Sequence, residues 1–241
     1  MLAKTTGIVI KTTRFSETSL IAKIYTHSHG MLSFLVPGVF SRKPAVSPSL
    51  LQVLQVVELD FYFHSHKNLL KIREIKNTLD AKDIYGNIPK TSLATVISEL
   101  IFKTIKEEEQ NESLFDYCLS GVKLLNDSNG KLNHFFLLFA LHYTKYIGFY
   151  PVNNYFENQP AFHLLSGRFV SQSHGNDLCM TIEESRYFHI LLQTVLEEYP
   201  HLSIPAVHRQ NLLKHLLSYY EIHVNGFTKL KSFEILRMVF H

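Results

Sequence analysis

Val57-Glu58-Leu59-Asp60-Phe61-Tyr62-Phe63-His64 alternates apolar with polar or amphipathic side chains along its whole length. That period of two places Val57, Leu59, Phe61 and Phe63 on one buried face of a strand and leaves the other face to water. Shorter β-rich runs surround it at Gly7–Lys11, Leu20–Thr26, Met31–Val36 and Leu69–Lys76, and His27-Ser28-His29-Gly30 supplies a turn between the second and third. Five short strands within residues 1–80 predict a small barrel. Between the third and fourth strands, Gly38–Ser49 carries Arg42 and Lys43 and is stiffened by Pro37, Pro44 and Pro48. Loops in such positions hold ligand contacts in OB-fold barrels.

Past Pro89 the period becomes helical. Leu93, Val96, Ile97, Leu100, Ile101 and Ile105 fall on one face, with Ser92 expected as the N-cap. Helices are expected at Ser113–Leu125 and Leu132–Ile147, separated by Asn126-Asp127-Ser128-Asn129-Gly130; the second is apolar nearly all round and should be central. Periodicity is lost from Phe149 to Met180, where Pro, Asn, Gly and Ser accumulate. A capping-box pattern, Thr181 with Glu184, restarts helix, which Pro200 is expected to end. A final helix over Pro205–His223 precedes a short basic tail segment, Lys229–Phe240. The expected fold class is α+β in two domains: an N-terminal OB-fold β-barrel over 1–80, then a mainly helical domain over 81–241 with an irregular insertion at about 149–180.

The net charge of +3 is unevenly divided. Residues 1–80 carry ten Lys and Arg against five Asp and Glu, a net +5, so the remainder of the chain is −2. A basic barrel joined to a near-neutral body points to an anionic partner, most often nucleic acid. The longest apolar run, Phe135–Leu141, is too short to cross a membrane, and the N-terminus lacks the apolar stretch of a signal peptide. Cys118 and Cys179 stand alone without a Cys-x-x-Cys, which fits a reducing cytoplasm and predicts no bound transition metal.

Walker A, GxGxxG, HExxH and GxSxG signatures are all missing, so no enzyme is expected and no cofactor is required. The pairs His27-x-His29 and His64-x-His66 could offer two imidazoles each, but both sit at a turn or strand end where solvated polar residues are common. Asp127-x-Asn129-Gly130 lacks the terminal Glu of a calcium loop and reads as an interhelical turn. The carboxylates of the first 80 residues, Glu17, Glu58, Asp60, Glu74 and Asp80, are scattered rather than clustered for the Mg²⁺ of a nuclease.

The nucleic-acid reading rests on Lys11, Arg14, Arg42, Lys43, Lys67, Lys71 and Arg73, interspersed with Phe15, Phe34 and Phe40. Cations meet phosphates and aromatic faces receive unstacked bases, a combination suited to single strands. Phe34 lies in a strand and reads as core. Phe15 and Phe40 lie in loops and are the stacking candidates, with plugging of a barrel end as the alternative.

Gly7-Ile8-Val9-Ile10-Lys11-Thr12-Thr13-Arg14-Phe15-Ser16-Glu17-Thr18-Ser19-Leu20 resembles the opening of RecO, a family of bacterial recombination mediators. The similarity continues through Tyr25–Gly30, Val36-Pro37-Gly38, the Arg42-Lys43 loop, Asn111–Tyr117 and Lys229-Leu230-Lys231-Ser232, and so covers nearly the whole chain. The resemblance implies an OB-fold, a helical domain and a role in homologous-recombination repair in the nucleoid-associated cytoplasm. It implies binding of single- and double-stranded DNA, strand annealing, and RecA loading with RecR on strands coated by single-strand DNA-binding protein. For the C-terminal tail of that last protein it implies a groove in the helical domain. The candidates are Lys131, His134, Phe135 and Leu138, together with Arg209, Leu213 and Lys214; core packing is the competing reading of the apolar members. Two departures stand out. Many members carry a four-cysteine zinc finger where this chain, over Phe149–Met180, has only Cys179, so no zinc is expected; and the loop after Gly38 is less basic than is usual. An adaptor that tethers partners with little DNA binding is therefore the second functional expectation.

Overall fold

The computed structural model describes residues 1–64, 67–105, 110–171 and 178–239. They form two compact units. The first comprises Met1–Asp127 with Leu230–Val239, and the second is built from Ser128–Lys229.

In the first unit five strands close into a barrel of order β1-β2-β3-β5-β4: β1 Leu2–Arg14, β2 Leu20–Thr26, β3 Gly30–Val36, β4 Val56–Tyr62 and β5 Leu70–Asn77. All pairings are antiparallel except β3 with β5, where Phe34 meets Leu70 and Leu35 meets Lys71 in parallel register. This is the OB-type closure that the alternation around Leu59 predicts. Val57, Leu59 and Phe61 are fully buried and pack inside with Ile24, Leu32 and Phe34, the Phe34 and Phe61 rings meeting edge to face at 5.3 Å. Strand β1 serves both neighbours, pairing Gly7 with Thr26 and with Val57. A Cβ at Gly7 would lie 2.5 Å from Ile24 Cγ2, so the crossing is built for glycine.

Helix α1 (Lys82–Tyr85) was not apparent in the sequence, and α2 (Ile88–Thr104) starts earlier than expected. Its N-cap is Asn87, whose side chain accepts from the Lys90 N–H, and Pro89 sits in the first turn where no donor is lost. Ser92 is an interior residue instead, its hydroxyl returned to the Ile88 carbonyl. Leu93, Val96, Ile97, Leu100 and Ile101 are buried as the periodicity predicts, and α3 (Glu112–Asp127) follows. The segment read as a basic tail contains α7 (Phe233–Val239), which packs on α2. Glu99 on α2 anchors it, accepting from the backbone N–H groups of Lys231 and Ser232 at 2.8 Å each and from the Ser232 hydroxyl.

In the second unit α4 (Phe135–Tyr146) is central, with Phe135, Leu138, Phe139 and Leu141 fully buried. The insertion folds as a small hairpin, β6 (Ala161–His163) with β7 (Arg168–Val170). Asn154 fixes it by accepting from the Phe169 N–H and donating to the Phe169 carbonyl. Helix α5 (Ile182–Gln193) opens with the capping box of Thr181 and Glu184, as expected. It ends at Gln193, where Thr194 turns extended and returns its N–H to Ile190 and Leu191; Pro200 falls later, inside a 3₁₀ turn over Leu196–His201. Helix α6 (Ala206–His223) completes the unit.

Candidate nucleic-acid interface

Strands β1 and β3 both run antiparallel to β2, so the β1–β2 and β3–β4 loops leave the barrel at one end, where Arg14, Leu20 and Val36 lie across from one another. The loops are joined directly by a bond from the Phe40 N–H to the Thr18 carbonyl at 3.2 Å. Arg14 holds the first loop, donating from Nε to the Ser16 carbonyl and from Nη2 to the Glu17 carbonyl. Gly38, at φ +68°, makes the turn that brings Phe40 back, and Ser41 bonds the Gly38 carbonyl through both its N–H and its hydroxyl. The Arg14 guanidinium then stands 5.5 Å from the Phe40 ring centroid, within cation–π range. Phe15 and Phe40 remain 60% and 52% exposed, which excludes the barrel-plug alternative for both. Arg42 and Lys43 are exposed further along the same loop.

The other sequence candidates lie elsewhere. Lys67, Lys71 and Arg73 are exposed on β5 and the loop before it, with Lys71 opposite Tyr62 on one side and Leu35 on the other. Lys11 is drawn to α2, its Nζ 4.3 Å from the Phe102 ring centroid. Lys23, which sequence reasoning missed, approaches the same ring at 5.5 Å. The helix it meets was legible, but the contact between them was not. Phe34 is fully buried, as expected. Two barrel lysines are neutralised locally, Lys4 by Glu58 and Lys76 by Glu74, each at 2.9 Å.

Of the partner candidates in the second unit, Phe135 and Leu138 are core residues. His134 and Arg209 are nearly buried and adjacent. Burial first and the Arg209 charge second hold the His134 imidazole below its ordinary range. Lys131 and Lys214 are exposed, and Leu213 is half-buried.

The insertion does not offer the donors of a four-cysteine zinc site. Cys179 is its one cysteine, and Cys118 is buried on α3. Among the described residues no three His, Cys, Asp or Glu side chains are grouped to hold a metal; His66, of the second His-x-His pair, lies outside them. Aromatic packing organises the hairpin: Phe162 meets Phe169 and Phe188 at 5.1 and 4.5 Å, and Tyr155 stacks on His189 at 4.5 Å. Among the described residues no helix is long and apolar enough to cross a membrane.

An OB-type barrel followed by a helical body, with cations and exposed aromatics at one barrel end, is the class of molecule these observations define. The chain belongs to the recombination protein O family: the family's N-terminal model matches residues 1–78 and its C-terminal model residues 85–232. It is 32% identical to the DNA repair protein RecO of Christiangramia forsetii and 32% to that of Flavobacterium psychrophilum. Identity to the DNA repair protein RecO of Phocaeicola vulgatus is 29%, and in all three comparisons the full length of both chains is covered.

Proposed function

We propose that this protein is a DNA-binding recombination mediator in DNA repair, acting without a covalent step of its own. It binds single- and double-stranded DNA, promotes annealing, and assists RecA loading with RecR on strands coated by single-strand DNA-binding protein. Family membership and the names of the relatives support the repair role. The observation that carries the DNA reading is the barrel end where Arg14, Phe15 and Phe40 converge, with Arg42 and Lys43 on the same loop. Cations there attract phosphates, and two exposed rings offer faces to bases that are free of a duplex stack. Lys11, Lys67, Lys71 and Arg73 extend phosphate contact over the barrel wall. In the helical unit Lys131, His134, Arg209, Leu213 and Lys214 are the proposed contacts for the acidic, apolar tail of single-strand DNA-binding protein, with Phe135 and Leu138 as the packed floor beneath.

A second reading, an adaptor with little DNA affinity, draws on the thin basic loop after Gly38, which carries only Arg42 and Lys43. Titration of fluorescent single-stranded and duplex DNA at two salt concentrations separates the two. DNA binding should weaken with salt, and Arg42→Glu with Lys43→Glu should flatten the single-strand slope by roughly 0.7 per lost contact. An unchanged slope in the double variant removes the loop from the interface. Failure of the unaltered protein to bind either DNA favours the adaptor.

A further inference from the structure

Beside the Arg14–Phe40 pair a cleft of about 400 Å³ opens between the barrel and helices α1 and α2. One wall is Thr12, Leu20 and Phe40, a second is the turn carrying Pro48, Leu51, Gln52 and Val53, and the third is Tyr85, Thr91, Ala94 and Thr95. The lining is mainly apolar, and most of its polar groups are already engaged. The Tyr85 hydroxyl donates to the Val53 carbonyl, that of Thr91 to the Ile84 carbonyl, and that of Thr95 to the Thr91 carbonyl. The side chains of Thr12 and Gln52 are not spent in this way. The Gln52 amide, exposed at the rim, offers both a donor and an acceptor to an incoming group.

We infer that this cleft receives one unstacked base of a single-stranded nucleic acid, with Phe40 as its stacking wall, Gln52 reading its edge and Arg14 meeting the adjoining phosphate. The inference rests on the single-strand reading above and names the group that is bound. The volume lies within the ordinary range of small-ligand sites, ~300–1,000 Å³, which accommodates a base and its sugar. An apolar cleft with few free polar groups suits a base, whose faces are apolar and whose edge needs one or two partners. A strongly anionic chain explains the rest of the mouth: the guanidinium over Phe40 and the Arg42-Lys43 pair on the loop that forms this rim. A paired duplex presents no free base, so the cleft discriminates single strands from duplex.

The test is a cycle that combines removal of the bases with filling of the cleft. An oligothymidylate and an abasic strand of equal length are titrated against the full-length protein, its Thr95→Phe variant and its Gln52→Leu variant. Gln52 is exposed, so its variant provides a reading independent of any folding defect in the first. The unaltered protein should bind the thymidylate about tenfold more tightly than the abasic strand, within the usual worth of one stacked base. That preference should shrink in Thr95→Phe to what Phe15 alone supplies and shrink less in Gln52→Leu, with duplex affinity preserved in both. If both variants retain the full preference while DNA still binds with its normal salt dependence, the cleft assignment is wrong and the DNA reading stands. If the unaltered protein binds no DNA, both fall together. Loss of binding to an acidic, aromatic peptide with no change in the base preference would also overturn the inference, since it assigns the cleft to protein.

Discussion

Replacing Glu99 by Gln should release α7 from the first unit. Glu99 is only 17% exposed in its side chain, and its two oxygens collect the N–H groups of Lys231 and Ser232, the Ser232 hydroxyl and the Lys103 ammonium at 3.1 Å. Burial alone would raise this carboxyl, but the bonds from Ser232, Lys231 and Lys103 outweigh it and hold the group at about 2, against an ordinary 4.5. At 1.36 kcal/mol per pH unit that difference sets an upper bound of ~3.4 kcal/mol. Residual contact with water screens the charge, so we expect about 2 kcal/mol, in line with the loss of one charge-assisted bond or slightly more. A group with a depressed acidic pKa stabilises the fold fully above its unfolded value. The cost of Glu99→Gln should therefore be complete at neutral pH, shrink below about 4.5 and disappear as pH falls through about 2. Urea unfolding at a series of pH values measures this. If opening is local, the amides of Ile235 and Leu236 should exchange about 30-fold faster in the variant. A variant within 0.5 kcal/mol of the unaltered protein at neutral pH, by the scatter expected for a surface change, would falsify the clamp. So would a difference that persists undiminished at low pH.

Gly7→Ala should destabilise the barrel by about 1–3 kcal/mol, since its Cβ meets Ile24 Cγ2 at 2.5 Å and Leu59 Cδ1 at 3.3 Å in a closed core; an unchanged urea midpoint refutes this. Acid should weaken the fold through its buried and half-buried histidines. Burial holds His29, His134 and His142 below the ordinary 6.5, so their neutral forms stabilise fully above that value and the contribution is lost as pH falls through the lower folded values. His29 lies against Phe61 and Phe63 at 5.6 and 4.7 Å with Nδ1 buried and unpartnered. His29→Phe should thus flatten the fall in stability below about pH 6.5; an equally steep fall in the variant would exclude His29 as a contributor.

The barrel was legible because alternation is local: Val57, Leu59 and Phe61 declare the inner face within one strand, and the burial of each follows. Helix ends were less so, since proline is ambiguous at a boundary. The helix was placed after Pro89 with Ser92 as its cap, yet a first-turn proline costs no hydrogen bond, and the true cap, Asn87, precedes it. Pro200 misled in the opposite sense, because the β-branched pair Thr194-Val195 had already left the helix. The same limit governs the interface. Charge and aromatic content are properties of single residues, so Arg14, Phe15, Phe40, Arg42 and Lys43 could be nominated from the chain alone. Which cations remain available depends on partners distant in sequence. Lys4 on β1 finds Glu58 on β4, Lys11 and Lys23 find Phe102 on a helix, and Arg14 finds Phe40 only because Gly38 turns the chain and the Thr18 carbonyl accepts the Phe40 N–H. The barrel's ion pairs do not change the net +5, in which Glu58 and Glu74 are already counted, but they place Lys4 and Lys76 beside carboxylates, whereas Arg14 at the loop end stands against an exposed ring. Binding that followed net charge alone would respond equally to reversal of Lys4 and of Arg42. Binding through the loop end should be far more sensitive to Arg42, and measuring both variants at one salt concentration distinguishes the two.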